Sequence, residues 1–522
     1  MSAIISDQFR IMNAETFAKS LVGVGNTFNT YYTFIGQPNA LNSQANGSSS
    51  WGEGLPPLDG FKEEVEIKET IISMKKVTTS DVRRMVRKNT WGSGTTYEMY
   101  RHDYTIYNLS PITNSPSLYD ANYYVINEDL RVYICLQNGT TPDTPNGKPS
   151  LDEPTFTDLE PRSAGTSGDG YLWKYLYTLK PSEVAKFETS DFIPVPANWE
   201  SSSDNSAVRD NAVDGSIKII TITNRGVGLG TANRTYTRVP IKGDGTGAEC
   251  TIVINNDQKV ESVVVSSQGS GYTYGNVDLI AGNVPTGTTR PTFNVIISPK
   301  GGHGADIYRE LGAYNVLLYS RIENDTQNPD FITGNQIARV GVVEGPRVSS
   351  GSLLTSDKAS AVYALRLAGT GYSSATFTAD SYFTQTVATA TTAVGRVISY
   401  DQTTGVLKYW QDRSLAGFTT VGVAITNPTY GFDLTEFTSS PSTGGSLTIV
   451  PSSGSNLSIN TSFSGISTVI NSRTYYLGQE FTNGIASPEV KKYSGNIIYV
   501  DNRPAITRSS NQKEDIKVIL QF

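Results

Sequence analysis

Gly168-Asp169-Gly170-Tyr171-Leu172-Trp173-Lys174-Tyr175-Leu176-Tyr177 is the stretch on which the fold class turns. Two glycines one residue apart let the backbone turn sharply, and aromatic residues then recur at every second position, the period of a strand. That period predicts Tyr171, Trp173, Tyr175 and Tyr177 on one face, as a core layer or as a subunit interface. Pro181 follows just beyond.

The same strand signature, β-branched and aromatic residues bounded by Gly, Pro, Asn or Asp, recurs at 31–35, 104–107 and 130–134. Helical spacing is sparser. Phe9 to Val22 reads as a helix with Asn13 as its N-cap, and Phe61 to Lys88 repeats the helical pattern with a second start at Thr79 or Ser80. From about 205 to 300 the composition shifts to Gly, Thr, Val, Ile and Asn, with almost no helix signal. A weak repeat of short strand plus glycine turn appears there: 220–222 before Gly226-Val227-Gly228-Leu229, and 263–265 before Gly269-Ser270-Gly271-Tyr272. A third copy, 363–365 before Gly369-Thr370-Gly371-Tyr372, opens another Ser/Thr/Gly-rich stretch that runs to about 485.

Residues 303–347 return to the earlier style, with Asp306 capping one helical turn and a strand over 314–322. The last residues do so again, with strands at 496–500 and 516–520 around a rigid turn at Asn502-Arg503-Pro504. The expected fold is therefore mainly β with a few short helices. A discontinuous multi-layer β core (1–205, 303–349 and 486–522) carries two inserted all-β domains, 206–302 and 350–485, because insertions enter at surface loops whose ends lie close together.

At 522 residues the chain is long enough for several domains and a sizeable core. Only 17% of residues are charged, against about 25% in an ordinary soluble protein. A surface of Ser, Thr, Asn and Tyr packs against partners with little charge desolvation. Net charge is -7, and the densest basic cluster, Arg83, Arg84, Arg87 and Lys88, is too small for a phosphate backbone and reads as local ion pairs. Nucleic acid is not an expected partner. Residues 1–7 lack the pattern of an export signal and no run of about 18 apolar residues occurs, so no membrane span is expected. Cys135 and Cys250 read as buried free thiols.

Candidate chemistry is thin. His102, beside Asp103, reads as a strand-edge histidine, and His303, within Gly301-Gly302-His303-Gly304, as a linker residue. Gly282 to Thr289 has the glycine spacing of a phosphate loop, but Thr288 stands where lysine is needed. Gly226 to Gly230 lacks the dinucleotide spacing, and Asp210 to Gly215 offers too few oxygen ligands for calcium. Glu63, Glu64 and Glu66 read as a helix start favoured by the macrodipole. No catalytic, metal or cofactor-binding residue is assigned, and no enzyme is expected.

Three segments together resemble the β-rich, dimeric baseplate wedge subunit of T-even-type contractile-tailed bacteriophages. The first is Ser494-Gly495-Asn496-Ile497-Ile498-Tyr499-Val500-Asp501-Asn502-Arg503-Pro504-Ala505-Ile506, with a terminal strand ending in Phe522; the second is Gly168 to Tyr177. The third combines Gln8-Phe9-Arg10, Thr33-Phe34 with Trp51, and Arg87-Lys88 with Trp91-Gly92. The order of the segments is that of the family, and both β-rich insertions fall outside the match. The resemblance carries Gly168, Gly170, Tyr171, Trp173, Trp91, Tyr499, Asn502, Arg503 and Pro504 as structural signature positions. It implies a virion tail-baseplate protein assembled in the host cytoplasm, homodimeric, contacting other wedge proteins and, through its insertions, fibre-attachment proteins. The Gly-x-Gly-Tyr repeats resemble those of structural proteins in contractile phages of cyanobacteria.

Two rival classes are a carbohydrate-binding or depolymerising tail fibre protein and a secreted β-rich adhesin. Depolymerases of this type show a long parallel β-helix repeat, whereas this repeat has three imperfect, interrupted copies. An adhesin calls for an export signal.

Overall fold

A computed structural model describes residues 4–22, 30–37, 59–230, 232–325, 331–379, 381–411 and 435–522. The fold is mainly β, most of it in antiparallel sheets. Contacts divide the chain into two compact units: residues 1–18, 83–317 and 518–522 form one, and residues 19–82 and 318–517 form the other. The core expected from 1–205, 303–349 and 486–522 is thus shared between the two, with 206–302 in the first unit and 350–485 in the second. Trp51 lies outside the described residues. Among the described residues no helix is long and apolar enough to cross a membrane.

The first unit is built on a three-stranded antiparallel sheet, Tyr124–Ile126, Arg131–Asn138 and Tyr171–Thr178. Its core is rich in aromatic side chains, among them Tyr123, Tyr133, Tyr171, Trp173, Tyr177 and Trp199, all fully buried. The four aromatics of the last strand do not form one stripe. Register shifts between Val132 and Tyr133 and between Cys135 and Gln137 break the alternation, so Lys174 and Leu176 are buried and Tyr175 is only partly so. Residues 104–107 form a turn rather than a strand, because the Asp103 carboxylate accepts from both Arg101 and Asn108 and folds the chain back. The helix Asp7–Val22 starts earlier than expected and runs through Asn13, which caps nothing; Ser6 Oγ accepts from Phe9 N instead.

Residues 206–302 have their own hydrophobic core. In the strand Thr246–Ile254 alternate residues Ala248, Cys250, Ile252 and Ile254 are buried, the pattern of a sheet with one covered face. The incoming strand Ile217–Asn224 and the outgoing strand Thr292–Ile297 pair with each other, Ile217 opposite Ile297 and Ile220 opposite Val295. Residues 363–485 likewise have a separate core, and there Tyr363–Arg366 pairs with Ile485–Ala486. Of the glycine repeats, the first two place their second glycine, Gly228 and Gly271, at positive φ, whereas Gly371 opens a 3-10 turn.

The second unit holds a five-stranded sheet in the order Lys358–Ser360, Ile71–Lys76, Tyr31–Gly36, Gln336–Glu344, Asn496–Thr507. The helix expected over 61–88 ends at Glu69. Ile71, Ile72, Ser73 and Met74 are all buried, so an apolar run that looked helical is a strand covered on both faces, and Val82–Arg87 is a strand as well. Glu63 and Glu64 do occupy the first helical turn, and Glu64 pairs with Lys68 at 2.7 Å.

Asn502-Arg503-Pro504 is not a turn between two strands; one strand, Asn496–Thr507, runs through it. The register explains how a sheet accepts a proline there. Arg339 pairs with Asn502 and Ile337 with Ile506, so two steps on one strand face four on the other and residues 503–505 have no partner in the ladder. Among the described residues the strand is also at the sheet's edge, where proline is tolerated.

Candidate functional site

In the first unit the structure brings Gly168, Gly170, Tyr171, Trp173 and Trp91 together around Tyr97, a residue the sequence did not single out. The Tyr171 hydroxyl accepts from Tyr97 N at 2.9 Å and donates to Lys148 O at 2.7 Å. The Trp173 ring stacks on Tyr171 with centroids 5.3 Å apart and meets Tyr97 edge-on. Tyr97 accepts from Gly92 N through its own hydroxyl, and Trp91 Nε1 donates to Ser150 Oγ at 3.2 Å. Burial raises the Tyr97 phenol above its ordinary value, and the same cause dominates at Tyr171.

The glycines do what the sequence asked of them. Gly168 has φ +72° and Gly170 φ +86°. A Cβ on Gly170 would stand 2.8 Å from the Cα of Gly139, so the two turns pack backbone to backbone. Between them Asp169 accepts from Leu151 N and Tyr171 N. This junction walls a cleft of about 470 Å³ whose other side is the strands Ile217–Asn224 and Val260–Ser270.

Tyr499, Asn502, Arg503 and Pro504 lie in the second unit, on its edge strand. Buried Arg339 donates from Nε to Asn502 Oδ1 at 2.9 Å and from Nη1 to Thr70 Oγ1 at 3.0 Å, tying the edge strand through its neighbour to the end of the helix Phe61–Glu69. Arg503 points outward and pairs with Asp501 at 2.8 Å. The Tyr499 phenol is raised, chiefly by burial.

The histidines depart from expectation. His102 sits in a turn, where its Nδ1 accepts from Ile297 N, and burial lowers its pKa. His303 is no linker residue: it is buried against the edge of Tyr100, with Nδ1 2.5 Å from Glu310 Oε1. Glu310 Oε2 also accepts from Gly304 N. The basic cluster is on a strand rather than a helix and is locally paired: Arg83 with Glu183, Arg87 with Asp120 and Lys88 with Glu188, while Arg84 lies over the Tyr308 ring. A further buried carboxylate escaped the sequence reading. Glu98 accepts from the backbone N–H groups of Ile112, Thr113 and Asn122 and so anchors the loop between them.

Cys135 and Cys250 are free and buried. Among the described residues no group of three His, Cys, Asp or Glu side chains is arranged to hold a metal ion. No family model matches the chain, and no curated protein matches it.

Proposed function

We propose that this chain is a structural subunit of a phage tail baseplate wedge. In this reading it is a homodimer in each wedge, ties neighbouring wedge proteins together, and moves as a unit when the baseplate rearranges and the tail contracts. One observation carries the reading furthest: four of the polar signature side chains are engaged within the chain itself. The Tyr171 hydroxyl bridges Tyr97 and Lys148, Trp91 Nε1 is on Ser150, Asn502 is held by Arg339 and Arg503 is paired with Asp501. Tyr171, Trp91 and Asn502 therefore serve the fold itself, which supports the reading of a load-transmitting scaffold. A chain with only 17% charged residues supports contact with many neighbours at low desolvation cost.

The test is the solution mass of the full-length protein by light scattering. A particle of twice 56.5 kDa, held over a wide dilution range, is the expected result. A monomer or a trimer overturns the wedge assignment and moves the fibre class ahead.

A further inference from the structure

We infer that the cleft beside Gly168 and Gly170 is a binding site for a neutral oligosaccharide. Its volume of about 470 Å³ falls within the range of about 300–1,000 Å³ typical of small-molecule sites. It lies where the loops 139–148 and 163–170 meet two strands of the 206–302 segment, a junction of the kind that commonly holds ligands.

The walls are preformed. The Gly139 and Gly170 backbones are in contact, Ser167 N donates to Asp152 Oδ2, and Lys148 N donates to Asn138 O. Arg225 ties the loop 139–148 to the strand Val260–Ser270, reaching Asp143 from Nη2 and the carbonyls of Val260 and Glu261 from Nη1. A ligand entering here pays little to order the protein around it.

The lining selects the chemistry. Thr221 is only 7% exposed, yet its hydroxyl has no hydrogen-bond partner among the described residues and lines the cleft. An unused hydroxyl on a residue so nearly buried is a group waiting for an external partner. Gln137, Ser163, Thr166 and Ser262 also line the cleft with side chains that make no hydrogen bond among the described residues. The charged lining is Lys148, Asp169 and Glu261, one cation against two carboxylates, which disfavours phosphate and other anions. Asp169 is already spent on two backbone N–H groups, which leaves no carboxylate cluster for a metal ion. Apolar surface remains at Leu172, Ile220, Ile222 and Val263. Hydroxyls and an amide around an apolar floor match a sugar, which offers C–H faces together with alternating hydroxyl donors and acceptors.

This inference goes beyond the wedge reading and is read on the chain whatever its mass. Saturation-transfer NMR on the full-length protein, with maltotriose, chitotriose and xylotriose as separate probes and inorganic phosphate and octanoate as comparators, provides the test. At least one trisaccharide should bind at millimolar concentration, with neither comparator displacing it. Thr221→Val keeps the side-chain shape and should weaken that binding about tenfold. Glu261→Gln, at an exposed position that leaves the fold intact, should weaken it severalfold and decides the matter if Thr221→Val does not fold. Absence of binding by all three sugars, displacement by phosphate or octanoate, or affinity unchanged in Glu261→Gln and in a folded Thr221→Val overturns the proposal.

Discussion

Nδ1 of His303 lies 2.5 Å from Oε1 of Glu310, with the histidine side chain 4% exposed and the glutamate not exposed at all. The contact joins the residue that follows the 206–302 segment to the single-turn helix Ile307–Glu310. Around it, Tyr123 donates to the Glu310 carbonyl, and Trp199 Nε1 donates to the carbonyls of Gly304 and Ala305. Removing the carboxylate leaves the His303 Nδ1 and the Gly304 N–H without their buried partner, and an orphaned buried group costs about 1–3 kcal/mol. Glu310→Ala is therefore expected to lower the unfolding free energy of the first unit, taken from urea denaturation, by that order. Glu310→Gln, which keeps the Gly304 bond, should cost less. Tryptophan fluorescence is the readout, since Trp91, Trp173 and Trp199 all belong to this unit. Equal stability of Glu310→Ala and the parent would show that the pair does not hold the junction.

Tyr171→Phe tests the hydrogen bonds of the aromatic cluster without opening a cavity. The Tyr97 N–H and the Lys148 carbonyl both lose their partner, and an orphaned buried group costs about 1–3 kcal/mol. The loss should appear as an earlier unfolding midpoint with the near-ultraviolet circular dichroism of the folded state retained. A variant as stable as the parent would mean that water replaces the hydroxyl.

Local chemistry made much of this fold legible. Asp306 was readable as an N-cap because the cap is a contact between near neighbours, and its carboxylate accepts from Tyr308 N and Arg309 N. Buried cysteines and most strands were readable for the same reason, since residue type and period suffice. What failed depended on distant partners. Ile71–Lys76 could be told from a helix only by what covers both of its faces, and Pro504 could sit in a strand only because Arg339 and Ile337 skip past it. His303 looked like part of a glycine linker because its partner Glu310 and its neighbour Tyr100 are brought to it by the fold. The cleft was invisible, since Thr221 and Gly168 meet only when the 206–302 segment folds back.

Asp515 sets an acid dependence in the second unit. Its carboxylate accepts from Arg321 Nε at 2.7 Å and Nη2 at 2.9 Å and from the Tyr319 hydroxyl at 2.7 Å. The Arg321 hydrogen bonds, ahead of its charge, hold the pKa down to about 2, against about 3.9 in an unfolded chain. A carboxylate whose folded pKa is depressed stabilises the fold above the unfolded value and loses that contribution as pH falls through the folded value. The stability gap between the parent and Asp515→Asn should therefore be constant at neutral pH and close between about pH 4 and about pH 2. Thermal midpoints across that range give the measurement. A gap that persists unchanged to pH 2 would exclude ionisation of Asp515 as the cause.

Pro504 is expected to guard the edge of the five-stranded sheet. Among the described residues this strand is paired on one side only, the arrangement that invites a passing strand, and Ile498 and Ile506 on it are exposed. Three devices oppose pairing at one place: Pro504 offers no N–H, residues 503–505 bulge out of the ladder, and Asp501 and Arg503 put charge at the rim. Pro504→Val restores a donor and adds a β-branched side chain. Because these residues have no partner in the ladder, the sheet should lose at most ~1 kcal/mol through the freer unfolded chain. Association should change far more. Sedimentation velocity on mild heating is expected to show polydisperse aggregates for Pro504→Val at concentrations where the parent keeps one discrete species. If the variant sediments like the parent, the bulge and the Asp501–Arg503 pair are sufficient protection and the proline serves only to fix the backbone of the bulge.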